Sequence, residues 1–368
     1  QIADNVWSNN SNGIVIMEHL AEDREDRELA DYGILLWANA NFNFSEAIMG
    51  YNGGNNSSLS WTYFKNRGWS SPNMVTYMES HDEERVIYKA LNYGNSNGNY
   101  NVKNLNTSLE RLKSAGSILF LLPGPKMIWH FGELGMQNSL FTCSDGSVGS
   151  SDDCKLETKP QPQWEENWLN DPLRSDIYNT WSRLIELKIN EPVFKGNYDI
   201  NSGSLKPTIY MWNDDLPANE LKNVVILSNF ELSDQNIIPY FPYTGIWYDL
   251  MDPSGNTFID VVNTTDALNI PAGEFRIFGN APSQSLSLNN NEFSTINMYP
   301  NPANDGISFN QDLKSIKIYD LSGKIIFENN QSYYKGTLLN ISNISNGIYI
   351  VGIKGMDNKS QFIKLLKN

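Results

Sequence analysis

The sequence predicts three parts in order: an α/β segment built on a parallel sheet, an antiparallel β domain, and a small C-terminal β-sandwich. Three observations lead there. Through about residue 190, short apolar runs alternate with helix-like stretches, which is how a β/α repeat appears in sequence. From residue 195 to about 278 the runs turn short and rich in Val, Ile, Tyr and Trp, divided by Pro, Gly and Asn, as in an antiparallel sheet. Beyond a polar stretch, residues 293–368 alternate apolar and polar positions, the two-residue period of half-buried strands.

The strands expected in the first part are 13–17, 34–37, 74–77 and 126–129. A helix is expected over 107–121, where Leu109, Leu112, Ile118 and Leu119 share an apolar face before Pro123-Gly124 ends it. A second helix, 176–189, sets Ile177, Trp181, Leu184, Ile185 and Leu187 at suitable spacing. Four strands with their helices are half of a TIM-type (β/α)8 barrel, so residues 1–192 read as an α/β barrel fragment and 193–278 as an all-β domain. The stretch 279–292 is nearly all Ser, Asn, Gln and Leu with a Pro, the composition of a linker. In the last part, 315–319, 324–327, 347–353 and 360–365 read as sandwich strands, with Ser322-Gly323 at a hairpin turn.

Acidic residues outnumber basic ones, 42 to 27, for a net charge of −15; this disfavours nucleic acid as a partner, because counterion release needs cationic side chains. No apolar run approaches the ~18 residues of a transmembrane helix, and the N-terminus lacks the basic and apolar regions of a signal peptide. The opening at Gln1, with no initiator Met, reads like a helix already under way and is taken as the start of a fragment. Ten Trp exceed what packing usually demands, and Trp37, Trp61, Trp69, Trp164 and Trp168 are candidates for stacking on sugar rings. Cys143 and Cys154 share a polar loop and are too few for a zinc site. A local disulfide there should stabilise by roughly 2–3 kcal/mol and points to an oxidising compartment. The run Glu22 to Glu28 reads as a solvated helix face laced by mixed charge.

In a β/α barrel the reactive groups sit where strands end. Glu18 follows the apolar run Ile14-Val15-Ile16-Met17, and His81-Asp82 follow another strand. Both acids therefore stand at mouth positions, and the expectation is that they project from adjacent staves into one pocket. Retaining glycosidases need an acid that protonates the leaving oxygen and a carboxylate nucleophile about 5 Å away. A simpler reading pairs Glu18 with Arg24 or Arg27 and makes Asp82, Glu83 and Glu84 helix N-terminal acids.

Val15-Ile16-Met17-Glu18-His19 and Tyr77-Met78-Glu79-Ser80-His81-Asp82 resemble the fifth- and seventh-strand motifs of α-amylase family glycoside hydrolases. The segment from Pro123 to Met136, with its Gly-Pro start and Gly132-Glu133-Leu134-Gly135 close, is similar to the eighth-strand segment. The resemblance covers residues 1–278 and implies the C-terminal half of the barrel followed by the family's β domain. It implies Glu18 as general acid/base, Asp82 as the carboxylate that grips sugar hydroxyls and stabilises the transition state, and His81 as a substrate-binding residue. His130 and Glu133 then support the eighth-strand loop. The family often has Asn where this chain has Ser80, and Glu-Ser-His-Asp also occurs in branching enzymes, so the motif fits hydrolysis and transfer alike.

The resemblance also places the nucleophilic Asp on a fourth strand, in a Gly-x-Arg-x-Asp-like segment that 1–368 does not contain. The expectation is that it lies upstream and that this chain alone does not hydrolyse. Calcium ligands in the family come from the earlier part of the barrel, so no metal is expected within this segment. α-Glucan is the substrate implied.

Ile296-Asn297-Met298-Tyr299-Pro300-Asn301-Pro302-Ala303, then Ile316 to Lys324, Asn346 to Val351 and the closing Phe362 to Lys367, resemble the type A sorting domain of the type IX secretion system. This implies a protein exported across the outer membrane, secreted or at the cell surface, with the type IX machinery as partner. The other reading is a small sugar-binding sandwich, for which Tyr333-Tyr334 is the paired aromatic candidate.

Overall fold

The computed structural model describes residues 1–19, 21–149, 154–155, 166–252, 254–283, 296–356 and 360–368. It divides into two compact units, Gln1–Ser287 and Leu288–Asn368. In the first unit, helix α1 (Ile2–Asn9) precedes strand β1 (Ile16–Met17), α2 (Asp23–Asp31), β2 (Leu35–Asn39) and α3 (Asn41–Met49). Then follow β3 (Met74–Tyr77), α4 (Val86–Tyr93), α5 (Leu105–Leu121), β4 (Lys126–Met127) and α6 (Pro172–Asn190). The four strands form one parallel sheet in chain order, β1-β2-β3-β4, with Ile16 opposite Leu35, Leu36 opposite Met74 and Thr76 opposite Lys126. Parallel neighbours need crossovers, and here helices supply them. Every residue of β3 is buried, as a strand covered on both faces must be.

The helices start and stop where the sequence says they must. The Asn104 side chain accepts from Asn106 N at the head of α5, and Pro123 follows directly after the helix, where its ring disfavours continuation. Asp171 accepts from Leu173 N and Arg174 N, both at 3.0 Å, with Pro172 in the first turn. That cap starts α6 four residues before the expected 176. Gly116 lets α5 and α6 close on each other, since a Cβ there would lie 2.2 Å from Trp181 Nε1.

A six-stranded antiparallel sheet completes the unit: β5 (Asn197–Asn201), β6 (Thr208–Trp212), β7 (Asn223–Ser228), β8 (Gly245–Asp249), β9 (Phe258–Val261) and β10 (Phe275–Gly279), ordered β9-β8-β10-β7-β6-β5. Its central strand β7 is buried on both faces, with Val224 and Ile226 in one core and Val225 and Leu227 in another. The first of these cores also holds Leu112, Ile118 and Trp181 from the helices. Residues on either side of 192 therefore share one core. Buried Arg111 ties them further, donating to Ile48 O at 2.6 Å, Ala47 O at 2.9 Å, Phe230 O at 2.5 Å and Glu231 O at 3.2 Å. The stretch expected to be a linker begins inside this fold: Asn280 caps Lys222 N and Asn223 N, and Ser283 Oγ donates to Glu191 at 2.6 Å. The rest of it, from 284, lies outside the described residues.

The second unit contains a three-stranded sheet and a four-stranded one. The latter comprises β11 (Leu313–Tyr319), β12 (Ile325–Asn329), β13 (Gly347–Gly355) and β14 (Ser360–Lys367), ordered β12-β11-β13-β14 and antiparallel throughout. Ile307 and Phe309 from the smaller sheet share a core with Ile316, Ile318, Val351, Ile353 and Leu365 from the larger, which is a two-layer sandwich. The expected hairpin turn is present. The Asp320 carboxylate accepts from Ser322 N, Ser322 Oγ and Lys324 N, and Gly323 takes φ +84°.

Two lysines flank a cleft of about 240 Å3 beside β4, lined also by Phe120, Pro125, Ile128 and Ile185. Lys126 Nζ donates to Pro123 O and Gly124 O, and Lys188 Nζ to Leu122 O. Neither has a carboxylate partner among the described residues. Burial without a counter-charge pushes Lys188 down to about 7 and Lys126 well below its ordinary value. An unfolded lysine titrates near 10.4. Between those values the unfolded chain binds more protons, so stability should rise as pH goes from 7 toward 10. Urea midpoints across that range should increase, and Lys188→Met should flatten the increase; a wild-type profile that is already flat contradicts the assignment.

Candidate active site

Glu18 stands one residue past β1, and His81 and Asp82 follow β3 by four and five residues. All three thus lie beyond C-terminal strand ends, where a parallel sheet leaves loops free to carry reactive groups. One oxygen or ring nitrogen from each of Glu18, His81 and Asp82 lies within 4.8 Å of the others. The strands they follow are not adjacent, because β2 lies between β1 and β3. Neighbouring strands are about 4.8 Å apart, so the two acids converge across an intervening strand rather than from neighbouring staves as expected.

Aromatic groups from the other strands border this cluster. The His81 ring is 5.9 Å from that of Trp37, on β2, and 6.2 Å from that of Trp129, just past β4. Trp37 also meets Tyr77 edge-on at 5.3 Å. Burial pushes the Tyr77 hydroxyl well up, with the charges of Glu83 and Glu18 adding to it, so it remains a neutral donor at physiological pH.

The loop bearing His81 and Asp82 is braced at every turn. Glu79 and Arg85 are 5% and 1% exposed, and Arg85 Nη1 donates to Glu79 Oε2 at 2.8 Å. Glu79 Oε1 accepts from Val86 N at 2.8 Å, capping α4, while Arg85 Nη2 donates to His130 O at 3.1 Å. Ser80 Oγ accepts from Asp82 N at 3.1 Å and donates to Glu83, which also accepts from Asn39. Glu84 accepts from Ser139 Oγ at 2.6 Å and Leu140 N at 2.8 Å. Helix α4 begins only at Val86, so Asp82, Glu83 and Glu84 are not its first-turn acids. Glu83 and Glu84 are loop braces instead.

Glu18 and Asp82 are exposed and His81 is half-buried. The Lys155 ammonium donates to Asp82 Oδ1 and holds that carboxyl below the usual range, with a smaller contribution from His81. This trio is compact enough to hold a cation, yet one of its carboxylates is already matched by an ammonium, which works against a second positive charge. Burial raises the Glu133 carboxyl, and His130 O accepts from Arg85 Nη2, which ties the loop after β4 to the loop after β3.

Other expected features resolve differently. Among the described residues Glu18 has no ion pair, so the pairing with Arg24 or Arg27 is not formed. The charged run is only partly solvated: Asp26 is 2% exposed and bonds His19 at 2.8 Å and Arg67 at 2.7 Å. Arg67 in turn lies 4.2 Å and 4.4 Å from the ring centroids of Trp61 and Trp69. Trp69 and Trp168 are buried, the latter with Arg174 at 3.8 Å, so neither has a face for a sugar. Trp164 lies outside the described residues. Trp37 is half-buried beside His81 and keeps that role open. Cys143 and Cys154 form the expected disulfide, their Cα atoms 4.7 Å apart. Sequence reasoning missed Lys155 and the Glu79–Arg85 pair, which no periodicity connects.

Comparison with known proteins gives a family match at the C-terminus and a likeness of fold over most of the chain. Residues 297–368 match the family described as the secretion system C-terminal sorting domain. They are a sorting domain for type IX secretion. It marks the chain for export to the cell surface or extracellular space, and no helix among the described residues is long and apolar enough to cross a membrane. Solved structures that the chain resembles include α-amylase family enzymes. An α-amylase from Anoxybacillus shares 16% identity at a TM-score of 0.53, covering 76% of this chain and 55% of that one. A variant of AmyP in complex with maltotriose shares 13% at 0.52, covering 73% and 56%. A maltotriose complex of a PulA variant from Klebsiella pneumoniae shares 10% at 0.50, covering 77% and 42%. At such identities the likeness is one of fold, and the chain spans about half the length of these proteins. The ulvan lyase NLR42 of Nonlabens ulvanivorans is 28% identical over 92 residues, 24% of this chain and 17% of the lyase.

Removing one member of a buried ion pair strands the other charge, at a cost of about 3–5 kcal/mol. Arg85→Met should lower unfolding stability by that amount in urea, and Glu79→Leu combined with Arg85→Met should cost less than Arg85→Met alone. A stable single variant would contradict the bracing role.

Proposed function

We propose that residues 1–192 are the C-terminal half of a (β/α)8 catalytic barrel and 193–278 its β domain, from a retaining glycosidase of the α-amylase family acting on α-1,4-glucans. The observation that carries this is the convergence of Glu18, His81 and Asp82 within 4.8 Å beyond the ends of β1 and β3. Glu18 serves as general acid/base, Asp82 as the carboxylate that grips sugar hydroxyls and stabilises the oxocarbenium-like transition state, and His81 as a hydrogen-bonding partner of the same sugar. Trp37, beside His81, offers an apolar face to the ring.

Exposed Ile14 and Ile16 at the β1 edge and Ile128 past β4, 74%, 50% and 38% exposed, support a sheet that further strands continue on both sides. The nucleophilic Asp then belongs to the strand before β1, and 1–368 alone does not complete the hydrolysis. The partners are an α-glucan and the type IX machinery. Transfer to form branches is the second reading, since Glu79-Ser80-His81-Asp82 fits hydrolysis and transfer alike.

Amylose incubated with the full-length protein tests both. Hydrolysis releases reducing ends, and Glu18→Gln should lower that rate by about a thousandfold, the scale of a lost general acid. New α-1,6 branches without reducing ends favour transfer. Undiminished activity in the Glu18→Gln protein would sink the catalytic assignment.

A further inference from the structure

Lys155 lies 73 residues from Asp82 in the chain, and it belongs to no helix or strand. An exposed ion pair between two flexible side chains is weak unless something else holds them in place. Here both ends are anchored to one ring of contacts. Asp82 is two residues from Glu84, whose carboxylate accepts from Ser139 Oγ and Leu140 N. From there the chain runs to Cys143, whose N–H donates to Ser147 O at 2.8 Å while Thr142 bridges Val148. The Cys143–Cys154 disulfide crosses back to the residue directly before Lys155, and Lys155 returns to Asp82.

We propose that Lys155, tethered by the Cys143–Cys154 disulfide, is the positioning residue for Asp82: its ammonium orients the carboxylate toward sugar hydroxyls. The tether removes loop freedom that would otherwise disperse the lysine. Among the described residues, the groups facing Asp82 are Lys155, His81 with Nε2 at 3.6 Å, and Glu18; the Lys155 ammonium donates to the carboxylate, and the like charge of Glu18 opposes its ionisation. The Asp82 carboxyl is depressed, with the Lys155 hydrogen bond as the largest cause. The sugar hydroxyls rest on the proposed glucan site, whereas the coupling of lysine, disulfide and carboxylate does not.

Carboxyl carbon NMR of the full chain tests it. The Asp82 titration midpoint should rise in Lys155→Met, rise in the wild type after disulfide reduction with the amide spectrum still that of a folded protein, and return in Lys155→Arg. A midpoint unmoved by Lys155→Met overturns the inference, and one that moves with Lys155→Met but not on reduction overturns the tether. Maltotriose affinity, followed on the same samples, should fall about tenfold in Lys155→Met, the scale of one charged hydrogen bond. Tighter binding there would mean that the ammonium blocks the pocket and would overturn the positioning role. Wild-type protein that ignores maltotriose while its Asp82 midpoint shifts as expected would sink the glucan reading and leave the positioning role standing.

Discussion

The ion pair between Glu79 and Arg85 is where the register of the parallel sheet becomes the geometry of the site. Strand β3 ends at Tyr77, and the next eight residues must turn from the sheet into α4 while presenting His81 and Asp82 to Glu18. Glu79 reaches forward to cap α4, and Arg85 reaches across to the carbonyl of His130 beyond β4. One buried pair thus fixes a strand end, a helix start and the neighbouring strand's loop. Because each charge is removed from water, each depends on the other for compensation. His81 and Asp82 lie between the two and inherit their position from it.

The rest of the first unit holds that sheet in place. Helices α5 and α6 pack through Gly116 and Trp181, and their far side shares a core with β6, β7 and β10. Arg111 stitches α3 and α5 to the loop after β7 by donating to carbonyls at the end of α3 and in that loop. The β domain is therefore a wall of the same core that supports the site. A disulfide in the loop by Asp82 and a sorting domain for type IX secretion agree with each other, since disulfides persist where export ends.

How much of this was legible depended on distance along the chain. Residues 74–77 were legible as a strand in full, because Val, Thr and Tyr favour extended backbone and both faces of the strand are covered. The run 13–17 is apolar as well, yet only Ile16–Met17 pair, since the sheet's edge leaves Ile14 exposed. Helix α6 starts earlier than its apolar spacing implies because its first turn is set by the Asp171-Pro172 cap rather than by burial. Glu18, His81 and Asp82 became candidates through strand ends and the motifs around them, which are local features. Their convergence across β2 was not, because sheet curvature has no local signature. Lys155, 73 residues from its partner, left no pattern to find. Tryptophan count suggested sugar, but Trp69 and Trp168 are taken up by packing on Arg67 and Arg174, a distinction that composition does not carry.

The most direct measurement of the central claim is a crystal structure of this chain soaked with maltotriose. A glucose ring should be seated over Trp37 with its hydroxyls bonded by Glu18, His81 and Asp82. A sugar bound elsewhere with that trio left in water, or the three side chains found apart in the crystal, would contradict it.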